Sequence, residues 1–230
     1  MDKQNTPAEA NQFGHVSRIL IEFPKNRRPR SNKRLIGYNY RDKTTDHSIV
    51  EKPSMAESTQ DIENYIRDVA DFPKPGITFK DITPLLADPK ALGMAIDAMA
   101  ESVSDLKIDV IAAAEARGFL FAVPLALKMN IGMVPIRKPG KLPYKKHTYS
   151  YELEYGSDTL EMHTDAVSPG QNVLVVDDLL ATGGTVEACC KMIEDCDAHV
   201  AGCLFLIELG FLGGKKKLEK YPTISVLNYE

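Results

Sequence analysis

Two adjacent carboxylates, Asp177 and Asp178, end an apolar run and open directly into Leu179-Leu-Ala-Thr-Gly-Gly-Thr185. The four residues Val173–Val176 bring the chain up as a buried strand, and Gly184 onward has the pattern of a helix. Glycines at 183 and 184 let the backbone approach a ligand closely, and a helix N-terminus offers free N–H groups at the positive end of its dipole. A phosphate is the natural occupant of Ala181–Thr185, with the hydroxyls of Thr182 and Thr185 as further donors. The carboxylates would repel a second phosphate set beside the first. They suit vicinal sugar hydroxyls, or a divalent cation. The segment therefore reads as a cradle for a ribose 5-phosphate. No Gly-Lys-Ser/Thr follows and there is no G-x-G-x-x-G, so the two common nucleotide loops are excluded.

Cations for a further anionic group are available in two loops. Arg117 sits in Glu115-Ala-Arg-Gly118, and Arg137, Lys138 and Lys141 lie in a basic stretch running to His147. His147 and His163 are too scattered to argue for a transition-metal site.

These residues need elements to hold them. Ser58-x-x-Asp61 ahead of Ile62, Tyr65, Ile66 and Val69 predicts a capped amphipathic helix. Asp71–Pro84 carries three prolines and a glycine and predicts a stiff loop, or small hood. Asp88-Pro89 supplies an N-cap and a first-turn proline for a helix with Leu92, Ile96, Met99, Val103 and Leu106 on one face. Val110–Ala114 and Gly132–Ile136 read as strands around a helix from Phe119 to Met129, bent by Pro124. Tyr149–Tyr155 and Thr159–His163 predict a hairpin joined across Gly156-Ser157. Val200–Ile207 and Ile224–Leu227 are further strands. Strands alternating with helices imply an α/β fold with a mostly parallel sheet covered by helices on both faces.

Composition limits the rest. The 230 residues carry 28 Lys/Arg against 32 Asp/Glu, so overall charge makes no case for a nucleic-acid or membrane partner. There is no apolar run long enough to span a bilayer, and no secretory signal is expected. The four cysteines, 189, 190, 196 and 203, lack C-x-x-C spacing and read as reduced thiols, implying a cytoplasmic protein. Residues 1–57 hold 11 Lys/Arg against 7 Asp/Glu, and Lys25–Arg34 has six bases and no acid. This stretch reads as a basic, disordered extension ahead of one domain at 58–230, with Met55 a second candidate start. Its basic run is the one hint of a nucleic-acid partner.

The segment Val173–Thr185 resembles the phosphoribosyl diphosphate (PRPP) motif of type I phosphoribosyltransferases. From about Ile62 to Glu230 the chain is similar to the adenine phosphoribosyltransferase family. Asp71–Asp81, Glu115–Phe119, Arg137–Pro143 and Leu153–Gly156 carry that narrower likeness. The resemblance implies transfer of phosphoribosyl from PRPP to adenine, giving AMP and diphosphate in purine salvage, with Mg²⁺ required and possible near Asp177 and Asp178. It implies that Arg117 contacts diphosphate, and that Arg137, Lys138 and Lys141 reach it across a homodimer interface. It places adenine against Phe79 and Leu179, read by backbone at Thr78 and Lys80. The hairpin becomes a flexible flap whose Glu154 exchanges a proton with the purine, beside Tyr155. The chemistry agrees: an oxocarbenium-like sugar is favoured by nearby carboxylates and a polyanionic leaving group by cations.

The sequence departs from the family at Ala113 and Ala122, where glycine is common, and Tyr144-Lys-Lys-His147 is more basic than many flaps. Two alternatives stay open on the residues. A PRPP-responsive, nucleic-acid-binding regulator could share the fold, though it would not need the hood or Glu154. A phosphoribosyltransferase for another base would use a different hood.

Overall fold

Alternation in the two most apolar runs decides the architecture. In Val110–Ala114, Ile111 and Ala113 face one core while Val110, Ala112 and Ala114 face another. In the later run Leu174 and Val176 join the first core, and Val173 and Val175 the second. A strand buried on both faces must be covered on both faces. The computed structural model describes residues 55–153 and 156–230.

Along the chain run α1 (Met55–Glu63), β1 (Arg67–Val69), β2 (Phe79–Asp81), α2 (Thr83–Ala87), α3 (Pro89–Ser102), β3 (Val110–Ala114), α4 (Gly118–Met129) and β4 (Gly132–Ile136). There follow β5 (Lys146–Leu153), β6 (Gly156–His163), β7 (Asn172–Leu180), α5 (Gly184–Glu194), β8 (His199–Leu209) and β9 (Thr223–Tyr229). Five strands form one parallel sheet in the order β4-β3-β7-β8-β9. Buried residues of α3 and α4, among them Ile96, Met99, Phe121 and Leu125, cover one face. Helix α5 and β6 cover the other through Val186, Cys189, Met192, Leu160 and Met162. All four cysteines keep free thiols.

The cap at Asp88 forms as expected: its carboxylate accepts from Lys90 N at 2.8 Å and Ala91 N at 2.9 Å, with Pro89 next. That helix stops at Ser102, so Val103 and Leu106 pack from the following turn.

Three expectations need correction. The first helix ends at Glu63, and Arg67–Val69 is a strand antiparallel to β2, because Val69 pairs opposite Phe79 and Arg67 Nε lies 3.0 Å from Asp81 Oδ2. Long-range pairing there overrides local periodicity. The Asp71–Pro84 loop accordingly contains β2 and the start of α2. Gly156 and Ser157 are not the hairpin turn; they lie in β6 opposite Leu153 and Glu152. The basic extension expected at 1–57 falls outside the described residues up to position 54.

Candidate active site

Strand order reverses between β3 and β7. The crossover from β3 leads through α4 to β4, and the one from β7 leads through α5 to β8 on the other side. The carboxyl ends of two such strands diverge and leave a crevice, the usual ligand position in an open α/β sheet. The Glu115–Gly118 turn and the Ala181–Gly184 loop border it. Gly118 permits their approach: a Cβ there would lie 2.8 Å from Asp177 Oδ1 and 3.1 Å from the Val176 carbonyl.

The acidic pair does not follow the strand, as expected, but belongs to it, since β7 continues to Leu180. Asp178 is buried at 3% exposure, and Arg117 Nη2 stands 3.0 Å from its Oδ2. The Asp177 carboxylate accepts from the Asp178 N–H at 2.9 Å. Burial, then the neighbouring charge of Asp178, pushes Asp177 up to about 8. Burial also raises Asp178, against the pull of Arg117. The pair is poised to gain from any group that stabilises negative charge: a sugar hydroxyl donor or a cation.

Next to it, Asp177, Leu179, Ala181, Thr182, Gly183, Gly184 and Thr185 line a cavity of about 100 Å³. That is roughly three times the liquid volume of one water, the scale of one phosphate group. Gly183 has φ +79°, and a Cβ on it would come within 2.6 Å of the Gly214 carbonyl oxygen. A Cβ on Gly214 would in turn strike the Ala181 carbonyl. The loop is therefore braced from behind by the turn after β8. Sequence reasoning passed over Gly214; its signal was the doublet Gly213-Gly214 a few residues past the end of β8, after the short turn Gly210–Leu212.

The basic loop is folded onto acids that the sequence reading also missed. Arg137 Nη2 is 3.1 Å from Glu115 Oε2, whose carboxylate also accepts from Lys138 N–H. Burial opposes ionisation of Glu115, but these bonds hold it below the ordinary glutamate value. Glu161, 4% exposed, accepts from Gly140 N at 3.0 Å and lies 2.7 Å from Lys146 Nζ. Lys138 Nζ pairs with Asp158. Lys141 stays exposed.

At the hood, the Phe79 ring faces the crevice, 5.4 Å from the Arg117 guanidinium and edge-on to Phe72 at 5.2 Å. Thr78 and Lys80 line a second cavity of about 500 Å³, where the Lys80 ammonium lies 3.8 Å over the Tyr229 ring and 2.7 Å from Asp68. Glu154 and Tyr155 lie outside the described residues. Among the described residues no cluster of three or more His, Cys, Asp or Glu could cage a metal. Two adjacent carboxylates beside a cavity of phosphate size do fit Mg²⁺, which typically uses one or two carboxylates together with substrate phosphates and water.

The phosphoribosyl transferase domain family matches residues 84–228. An adenine phosphoribosyltransferase of Rhodopirellula baltica is 60% identical over 169 residues, covering 74% of this chain and 82% of that one. The crystal structure of adenine phosphoribosyltransferase from Thermoanaerobacter pseudethanolicus superposes with a TM-score of 0.73 at 53% identity, over 74% of this chain and 99% of the other. The Saccharomyces cerevisiae adenine phosphoribosyltransferase, solved with adenine and an imino-altritol bisphosphate, gives 0.70 at 38% identity over 75% and 99%. With the fold and the crevice, these likenesses decide between the alternatives that the residues left open. The chain belongs to the phosphoribosyltransferase family and, within it, to the adenine phosphoribosyltransferases.

Proposed function

We propose that this crevice transfers a phosphoribosyl group from PRPP to N9 of adenine, releasing AMP and diphosphate. One observation carries the assignment of roles: Arg117, the Asp177–Asp178 pair and a phosphate-sized cavity stand side by side at the switch point. The backbone of Ala181–Thr185, with the Thr182 and Thr185 hydroxyls, holds the 5′-phosphate. Asp177 and Asp178 accept from the ribose hydroxyls and favour the positive charge that develops at the anomeric carbon. Arg117, Arg137, Lys138 and Lys141 take up charge on the departing diphosphate. This is transition-state stabilisation by groups fixed beforehand.

Adenine packs between Phe79 and Leu179. Main-chain groups at Thr78 and Lys80 read its edge, and a carbonyl there accepts from the exocyclic amine. Glu154 holds or moves the proton at the purine ring nitrogen, with Tyr155 beside it in the flap. Mg²⁺ bound to PRPP would neutralise diphosphate charge, with Asp177 and Asp178 the residues placed to meet it.

A homodimer is supported by α4, where Leu120, Val123 and Leu127 form an exposed stripe at 45%, 47% and 77% exposure. Their 3 and 4 spacing puts them on one face, an exposed apolar surface of the kind a second copy would cover. A cytoplasmic setting fits the free thiols, and no described helix is long and apolar enough to cross a membrane. Residues 1–57 hold none of these site residues; the transferase domain is taken as 58–230, and the residues ahead of α1, 1–54, are dispensable for transfer.

The test is a PRPP-dependent assay offering adenine, hypoxanthine, guanine, xanthine and orotate in parallel. Nucleotide formation from adenine alone is the expected result, and preference for any other base would overturn the assignment of the hood.

A further inference from the structure

A chain of polar side chains crosses the hairpin and joins the two anion-binding loops. Tyr151 Oη in β5 lies 3.2 Å from Asp158 Oδ2, its cross-strand partner in β6, and 3.2 Å from Thr185 Oγ1 in the phosphate loop. The same Asp158 oxygen is paired with Lys138 Nζ in the basic loop. The hydrogen bond from Lys138 holds Asp158 below the ordinary aspartate value. A carboxylate only accepts, so the single phenolic proton of Tyr151 goes to Asp158. Thr185 must then donate to Tyr151. The order in the ligand-free protein is Thr185 to Tyr151 to Asp158, with Lys138 donating to Asp158 from the far side.

We propose that Tyr151 and Asp158 form a relay that sets the 5′-phosphate held at one protomer's Thr185 against the diphosphate that the same protomer's Lys138 reaches across the dimer interface. It rests on the proposed placement of the 5′-phosphate at Thr185 and of diphosphate at Lys138. A bound phosphate claims the Thr185 proton. The Thr185 oxygen can then only accept, Tyr151 turns its proton to it, and Asp158 Oδ2 loses one of its two donors, the Thr159 N–H remaining on Oδ1. Its hold on Lys138 tightens, at the expense of diphosphate. In the other direction, diphosphate draws Lys138 away, and Asp158 then depends on Tyr151. That keeps the Thr185 proton turned from the phosphate. The two effects are one coupling, seen from either end. Once PRPP is cleaved in both sites, nucleotide in one site and diphosphate in the other each loosen the other, and product release is favoured.

The experiment is titration calorimetry of the full chain with magnesium diphosphate, without and with saturating AMP, on the native protein and on Tyr151→Phe. Phenylalanine keeps the ring and the charge, so direct repulsion between the two anions is unchanged and only the relay is removed. AMP should weaken diphosphate by a factor about two- to tenfold larger in the native protein than in Tyr151→Phe, the worth of one hydrogen bond. Asp158→Asn should lose the same excess. Equal factors in native protein and Tyr151→Phe overturn the relay, as does an unchanged factor in Asp158→Asn. Thr185→Ala separates the premise: AMP binding that is indifferent to it would overturn the phosphate placement itself.

Discussion

Arg117 and Asp178 stand 3.0 Å apart across the crevice, one in the turn after β3 and the other inside β7. The pair joins the two strand ends at the switch point. It also gives a buried carboxylate its cation, and removing one partner of such a pair costs more than removing both. Arg117→Met should lower kcat/KM for PRPP by about 10²- to 10³-fold, the usual loss for a stabilising donor, and should lower Tm. Adding Asp178→Asn should recover much of the Tm and none of the activity. Scanning calorimetry and steady-state kinetics on the single and double variants check this.

Asp177 makes ligand-free stability depend on pH. Its carboxyl is raised by burial, and then by Asp178, to about 8, against roughly 3.9 in an unfolded chain. For an acid raised on folding, the unfolded state gives up its proton first as pH increases. The contribution is therefore fully present below about pH 4 and is lost as pH rises through 8. Asp177→Asn should flatten the decline in Tm over that window and melt about 2–4 °C higher than the native protein at pH 8, a shift on the scale of 1 kcal/mol for a chain of this size.

Gly214 should matter to phosphate binding because it braces the phosphate loop from behind. A side chain there meets the Ala181 carbonyl, and one at Gly183 meets the Gly214 carbonyl. Gly214→Ala and Gly183→Val should each weaken AMP binding by tenfold or more in calorimetry. Adenine affinity should change little, because the hood is on other elements.

Glu154→Gln preserves size and hydrogen bonding but cannot exchange a proton. General acid–base roles are typically worth about 10²- to 10⁴-fold, so kcat should fall by that factor with KM for PRPP nearly unchanged, the signature of an interaction made in the transition state. Retention of more than a tenth of the turnover, with chemistry rate-limiting, would remove Glu154 from the mechanism.

The α4 stripe predicts assembly. Leu127→Glu should shift light-scattering mass from dimer toward monomer and reduce activity. Mixing an Asp178→Asn chain with an Arg137→Ala chain should restore part of the activity through hybrid dimers, while either chain alone stays impaired.

What the sequence disclosed depended on how local the cause was. Val173–Gly184 was readable because an apolar, Val-rich run, a carboxylate pair and a Gly-Gly break follow within twelve positions. Asp88-Pro89 was readable because a cap acts on the next three residues. Arg67–Val69 was not, because a three-residue strand exists only by virtue of Asp81 and Phe79, ten or more positions on. The relay was hidden by register. A turn at Gly156-Ser157 would set Tyr151 opposite Met162; the observed pairing sets it opposite Asp158. Glu115 and Glu161 carried no signal as partners of the basic loop, since nothing local shows that it folds back on them.

The contact between Gly183 and Gly214 limits how portable the phosphate loop is. The thirteen residues from Val173 to Thr185 carry the recognisable motif, yet the backbone that shapes their cavity is pressed from behind by a turn nearly thirty residues later. Transplanted alone onto another parallel sheet, the motif would keep its sequence and lose its curvature. Any graft, circular permutation or loop replacement in this protein must therefore move the two glycines as a single unit.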